Sequence, residues 1–171
     1  MKGAGSLFEP IYGLTFRKVY AYMAACFGRG PAEDLTQQVF LKLWDFLQRS
    51  DFGQPGGAPE PDNWQAWVFR VAVNVKNDFL RKKQRRGEET EFEDALQNEA
   101  REGDPTEAVA VQTAFASLPA GEREILTMKQ IGLSSAEMGE LLGVSDSAAR
   151  SRLAAAKQSF RRKLQENGVA V

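Results

Sequence analysis

The chain has no histidine and one cysteine, Cys26. It therefore cannot build an internal disulfide, a Cys/His zinc site, or a Ser-His or Cys-His nucleophile pair. It also has no Gly-rich phosphate loop and no spaced acidic pair set in an apolar stretch, so a carboxylate-only active site finds no host. No apolar run reaches the roughly eighteen residues of a membrane span, and the opening MKGAGSLFEP lacks an apolar signal stretch. These absences predict a non-enzymatic cytoplasmic protein without membrane insertion, metal, cofactor or small-molecule substrate. The 171 residues suffice for one domain or two small ones with modest cores.

The formal net charge of −1 sums unlike parts. Residues 1–87 carry thirteen Lys/Arg against eight Asp/Glu, residues 88–112 one against nine, and residues 113–171 eight against six. Two basic modules thus flank an acidic segment. Its centre, GEETEFEDALQNEAREGD, has too few large apolar residues to offset the entropy of ordering it. It reads as a flexible linker over 88–104, either a solvated connector or an acidic strand that mimics nucleic acid in a basic groove.

Helical spacing governs both flanks. After Pro10, a good first helical residue, Ile11, Leu14, Val19, Met23 and Cys26 recur every three to five positions up to the GRG break at 28–30. Pro31 opens a second helix, with Glu33 and Asp34 in its first turn and an apolar stripe of Leu35, Val39, Leu43 and Leu47, ending near Ser50. DFGQPGGAPEPDN is a Gly/Pro-rich loop. Asp62 and Gln65 are spaced as a capping box for a third helix, whose stripe of Trp64, Trp67, Val68, Val71, Val75 and Phe79 runs into FLRKKQRR at 79–86. A cation at an exposed helix C-terminus contributes roughly 0.3–1 kcal/mol. Five in eight positions exceed that use and point to a polyanion.

The second module is also helical. Asp104, Pro105 and Glu107 start a helix with Val111, Phe115 and Leu118 on one face, and GEREILTMKQIG follows with Ile125, Leu126 and Ile131. Ser134 and Glu137 then form a capping box, Met138, Leu141 and Leu142 face inward, Gly143 ends that short helix and Ser145 caps the next. This is a helix-turn-helix pattern, which a packed helical hairpin also matches. On its last helix Ala149, Leu153, Ala156, Phe160 and Leu164 form the buried stripe, leaving Ser147, Arg150, Ser151 and Lys157 outward.

Three blocks, PAEDLTQQVFLKLW at 31–44, WQAWVFRVAVNVKNDFLRKKQRR at 64–86, and LPAGEREIL with GLSSAEMGELLGVSDSAARSRLAAAK at 118–126 and 132–157, follow one another in a specific order. In order and spacing they resemble the extracytoplasmic-function (ECF) sigma factors of bacterial RNA polymerase, the small class that keeps only the second and fourth conserved regions. The resemblance covers about residues 8–165. It implies an all-α fold of two small modules: region 2 over 1–87, with three to four helices, and a region 4 helix-turn-helix over 105–171, joined by the 88–104 linker.

The resemblance also implies roles. Asp34, Gln37 and Gln38 would dock on core RNA polymerase. Asn74, Asn77, Arg81, Lys82, Lys83, Arg85 and Arg86 would face the downstream element of promoter DNA, with the basic end gripping phosphates. The loop at about 52–63 would capture a base flipped from the nontemplate strand, at a cost of a few kcal/mol. Ser147, Arg150, Ser151, Arg152 and Lys157 would serve the upstream element. Arg150 and Arg152 lie about 200 degrees apart on a helix, so spacing leaves open which one reaches bases. An anti-sigma factor is an implied partner, and the two modules are expected to fold over each other in the free state.

Trp67 belongs with the core, whereas Trp64, beside the loop, stays open to base stacking. Departures from the family pattern also matter. Gln38 replaces a usual acid, Asp146, Ala148 and Ala149 replace apolar, Thr and Val types, and Ala155 replaces a common arginine. Asp146 suits the helix dipole but repels phosphate, so weaker or unusual upstream binding is expected. Two rivals are a stand-alone helix-turn-helix regulator and a sigma-like decoy that binds polymerase or an anti-sigma factor.

Overall fold

Gly28 reverses the chain between the first two helices, with φ of 77°, a conformation that glycine adopts without strain. In the computed structural model, which describes residues 3–87 and 106–171, α1 (Ala4–Phe27) and α2 (Arg29–Arg49) are antiparallel partners joined there. Helix α3 (Trp64–Arg86) packs on both. The second module contains α4 (Thr106–Ala116), α5 (Ala120–Gln130), α6 (Ser135–Leu142) and α7 (Asp146–Glu166). There is no strand among the described residues, so the expected all-α class holds. The whole 88–104 segment, including Asp104 of the expected helix start, and Pro105 after it lie outside the described residues.

The apolar stripes face inward as their spacing predicts, fully buried in α2 and only half-buried at Trp64, Trp67, Val71 and Phe79 of α3, Leu141 and Leu142 of α6 and Phe160 of α7, and α1 departs from the expectation in two respects. The helix begins at Ala4, not after Pro10, which lies inside it, and Gly3 accepts the first backbone bond from Ser6. Leu14, expected inside, is 56% exposed. The inward face is instead Ile11, Thr15, Val19, Tyr22, Met23 and Cys26, and the Thr15 hydroxyl is satisfied by donating to the Ile11 carbonyl at 2.6 Å. In α2, Pro31 sits within the first turn because the helix starts two residues earlier, leaving Glu33 and Asp34 beyond that turn. The cap of α3 also shifts by one: Asn63, not Asp62, accepts from the Ala66 amide at 3.1 Å, while Gln65 accepts from the Lys18 ammonium.

The two modules share a continuous core. Val68 and Phe69 of α3 belong to the same buried cluster as Ile125 and Met128 of α5 and Met138 of α6. One polar cluster crosses this seam. A single carboxylate oxygen of Glu124 in α5 accepts from the Tyr22 hydroxyl at 2.5 Å and from the Lys76 ammonium at 2.6 Å. Arg123 reaches the other way, donating from Nε to the Ala25 carbonyl at 3.0 Å and from Nη1 to the Leu118 carbonyl. Burial also disfavours its charged form. By contrast, the Arg70–Glu140 pair between α3 and α6 is exposed and contributes ~1 kcal/mol at most.

Burial sets the chemistry of the seam. Desolvation, followed by the nearby Cys26 and Glu124, raises the Tyr22 hydroxyl well above its ordinary value. Burial pushes the Cys26 thiol from 9.0 up to about 12, with Glu124 adding to the rise. The unfolded chain therefore loses this proton in a window where the folded chain keeps it. Stability that is complete below pH 9 falls as pH rises toward 12. Cys26→Ala should make that decline shallower in thermal denaturation series, and an identical decline would remove Cys26 from the account.

Removing one member of a buried ion pair costs about 3–5 kcal/mol, because its partner is left charged and dry. Glu124→Leu should therefore lower unfolding free energy by several kcal/mol in denaturant titrations. Adding Lys76→Met should restore most of it. A double variant that loses as much as the two single variants added together would mean that the Lys76–Glu124 contact carries no coupling.

Candidate nucleic-acid interface

The basic end of α3 closes on Gly87, a left-handed residue whose amide reaches the Gln84 and Lys83 carbonyls. Successive residues are ~100 degrees apart, so Asn74, Asn77, Arg81 and Arg85 share one exposed face ~80 degrees wide, while Lys82 and Arg86 are rotated toward α2. Arg81 forms an ion pair with Asp78 one turn back. Lys83 is half-buried, its ammonium 5.0 Å from the centre of the Phe79 ring. The five cations thus divide between an open face and a groove that α3 makes with α2.

Four rings gather at the base of the 50–63 loop. Phe46 lies 4.6 Å from Trp67 and 5.8 Å from Phe52, and Trp64 lies 5.8 Å from Trp67. Both tryptophans are half-buried against the core, which agrees with the core reading of Trp67. Trp64 packs edge-on to Phe46 and Phe52, and its indole N–H donates to Glu60 of the loop at 3.1 Å. The cluster ties the start of α3 to the loop through Phe52 and Glu60. Across its neck, Asp51 accepts from the Ala58 amide at 3.0 Å.

The predicted polymerase residues Asp34, Gln37 and Gln38 are all exposed on α2. They do not share one pocket. Gln37 lines an apolar recess with Phe8, Tyr12, Phe16, Phe40, Leu41 and Trp44, whereas Gln38 lines the basic groove with α3. The recess is walled by an aromatic ladder at four-residue steps on α1, with Phe8–Tyr12 at 5.6 Å and Tyr12–Phe16 at 4.9 Å. Leu41, 63% exposed, stands at its rim.

In the second module, Ser134 and Glu137 form the expected capping box of α6. Gly143 ends that helix in the left-handed region, and the Ser145 hydroxyl accepts from Ala148 to start α7. The buried stripe of α7 runs through Ala149, Leu153, Ala156 and Leu164. Opposite its mean direction stands Ser151, with Arg150 and Arg152 ~100 degrees to either side. Ser147, Arg150, Ser151, Arg152 and Lys157 are all exposed. Asp146 sits 3.7 Å from Arg150, so the acid that would repel phosphate is partly offset by a neighbouring guanidinium.

Sequence reading missed two contributors. Lys76 lies on the apolar side of α3, and a lysine there signals a buried acid elsewhere in the chain. Lys42 follows Gln38 by one turn of α2 and extends the basic surface onto a second helix.

Comparison with known proteins follows this division of the chain. The family model "Sigma-70 region 2" matches residues 11–86, and "Sigma-70, region 4" matches residues 108–160. The chain is 28% identical over 163 residues to "ECF RNA polymerase sigma factor SigC" of Mycobacterium tuberculosis, covering 93% of this chain and 84% of the relative. It is 29% identical over 138 residues to "ECF RNA polymerase sigma factor SigE" of Mycolicibacterium smegmatis, covering 76% and 50%. Against "Probable RNA polymerase sigma factor RfaY" of Xanthomonas campestris, identity is 28% over 143 residues, covering 78% and 34%. The chain thus spans a third to a half of the length of the latter two. In fold it is similar to the sigma factor RpoE solved with the anti-sigma factor NepR from Bartonella quintana, with a TM-score of 0.67, 20% identity and coverage of 92% and 96%. It is also similar to CnrH solved with the cytosolic domain of CnrY, with a TM-score of 0.59, 21% identity and coverage of 95% and 88%.

The helix-turn-helix depends on close backbone contact at Gly139. A Cβ there would lie 2.8 Å from the Val144 carbonyl oxygen and 3.1 Å from that of Ser145. Gly139→Ala should lower stability by roughly 1–3 kcal/mol in thermal unfolding followed by circular dichroism. Wild-type stability in that variant would show that the turn relaxes freely.

Proposed function

Because the chain belongs to the ECF class of the sigma-70 family, we propose that it binds core RNA polymerase and directs promoter-specific transcription initiation. Residues 1–87 act as region 2, taking the polymerase through Asp34, Gln37 and Gln38 and the downstream promoter element through Asn74, Asn77, Arg81 and the basic helix end. Residues 105–171 act as region 4 and take the upstream element through α7, with 88–104 as the link. The protein acts by binding and positioning, not by catalysis, and works in the cytoplasm. No helix among the described residues is long and apolar enough to cross a membrane.

The observation that carries this reading is the pairing of two different exposed surfaces in one chain. One is α3, with an aromatic-based loop before its start and a basic face at its far end, and the other is a helix-turn-helix that presents Ser147, Arg150 and Ser151. Phosphate contacts at the first supply affinity and register without reading sequence, and a guanidinium at the second supplies discrimination of roughly 1–3 kcal/mol per bidentate base contact. An anti-sigma factor is a fitting partner, since both similar solved structures are complexes with one or with a protein's cytosolic domain.

In vitro transcription with core polymerase and a promoter library tests the proposal. The wild type should yield start-site-specific transcripts, and a variant neutralised at Arg81, Lys82, Lys83, Arg85 and Arg86 should lose them. Stable polymerase binding without transcripts would favour a decoy instead, a reading to which the acidic Asp146 at the head of α7 lends weight. Absence of polymerase binding would overturn the proposal.

A further inference from the structure

The groove between α2 and α3 has a volume of about 430 Å³ and is walled from both helices. Helix α2 contributes Gln38 and, one turn on, Lys42, while α3 contributes Lys82, Lys83 and Arg86 over a floor that includes Val75 and Phe79. Its one acid, Asp78, is already paired with Arg81. Among the described residues, Lys42, Lys82 and Arg86 have no carboxylate partner. Lys83 is held in place by its contact with the Phe79 ring.

Four cations converging on one groove with a single, already neutralised acid repel one another, and an anionic ligand relieves that repulsion. Inorganic anions alone would not need the geometry found here. The groove opens beside the face that carries Asn74, Asn77 and Arg85, so a strand laid along that face brings its backbone to the mouth of the groove. Gln38 adds an amide donor, which suits a phosphodiester oxygen as well as ammonium and guanidinium groups do.

We infer that Gln38 and Lys42 of α2, with Lys82 and Arg86 of α3, form a two-helix clamp for a backbone phosphate of the promoter strand. This rests on the sigma-factor reading and deepens it: Gln38, placed there with the polymerase contacts, also faces DNA through the groove, and Lys42, which no motif marks, joins it. Helix α2 then has two working edges, one formed by Gln37 and Leu41 at the apolar recess and the other by Gln38 and Lys42 at the groove.

The test uses polymerase holoenzyme assembled with the full chain, a promoter duplex, and binding measured across a potassium chloride series for wild type, Lys42→Ala, Lys42→Arg and Gln38→Ala. Each phosphate contact contributes roughly 0.9 to the slope of log affinity against log salt on duplex DNA. Lys42→Ala should flatten the slope by about that amount, Lys42→Arg should retain it, and Gln38→Ala should weaken binding with an unchanged slope. Titration of core polymerase with the two Lys42 variants should give wild-type affinity. Lys42 is exposed, so the variants are expected to fold, and a matching thermal midpoint checks this.

An unchanged slope for Lys42→Ala would overturn the inference, as would lost affinity for core polymerase with the slope intact. Tighter promoter binding by Lys42→Ala would overturn it too, since the groove would then hold an acidic protein segment that competes with DNA. If the wild type itself directs no transcripts, the sigma-factor reading fails; if it does and Lys42→Ala remains as salt-sensitive, only the clamp fails.

Discussion

One carboxylate holds the arrangement of the two modules. Glu124 receives a hydroxyl from α1 and an ammonium from α3 on the same oxygen, in a seam where all three side chains are shielded from water. Short charge-assisted bonds of this kind are about twice as strong as neutral ones, yet they are needed here because each group would be costly to bury alone. The apolar residues around them bring the modules together without choosing a register, since apolar contact is non-directional. The three polar groups supply a directional constraint: they meet only when α5 lies across α1 and α3 in one placement.

That placement leaves the other surfaces free. The recess at Gln37, the groove at Gln38, the open face of α3 and the outer face of α7 all remain exposed while the seam is closed. Each surface differs in chemistry: aromatic and apolar in the recess, cationic in the groove, amide and guanidinium on α3, hydroxyl and guanidinium on α7. A chain with almost no net charge therefore presents strongly unlike fields to different partners.

Much of this could be read from spacing. The stripe of α2 is buried as written and that of α7 is buried except at the half-buried Phe160, because three- and four-residue apolar steps with good caps leave few alternatives. The capping box at Ser134 and the left-handed Gly143 were equally legible, since both depend on residues within one turn. Leu14 misled because it fits the period yet falls at the edge of the apolar arc, and Thr15, polar by name, takes the inward place by bonding its own backbone. Lys76 on an apolar face signals a buried acid without saying which, and Glu124 and Lys42 carry no signal at all. Their significance comes from residues 48 positions away, or from a neighbouring helix, and no local pattern records such a pairing.

The turn between α6 and α7 is shaped by backbone carbonyls closing on Gly139, by the amide bonds at Gly143 and Val144, and by the Ser145 cap. None of these involves the outward positions 147, 150, 151 or 152. Presentation of α7 and the identity of what it presents are therefore separable. Substitutions on its outer face can accumulate without disturbing the turn, so a lineage of such chains can vary the chemistry of that face while the scaffold stays constant.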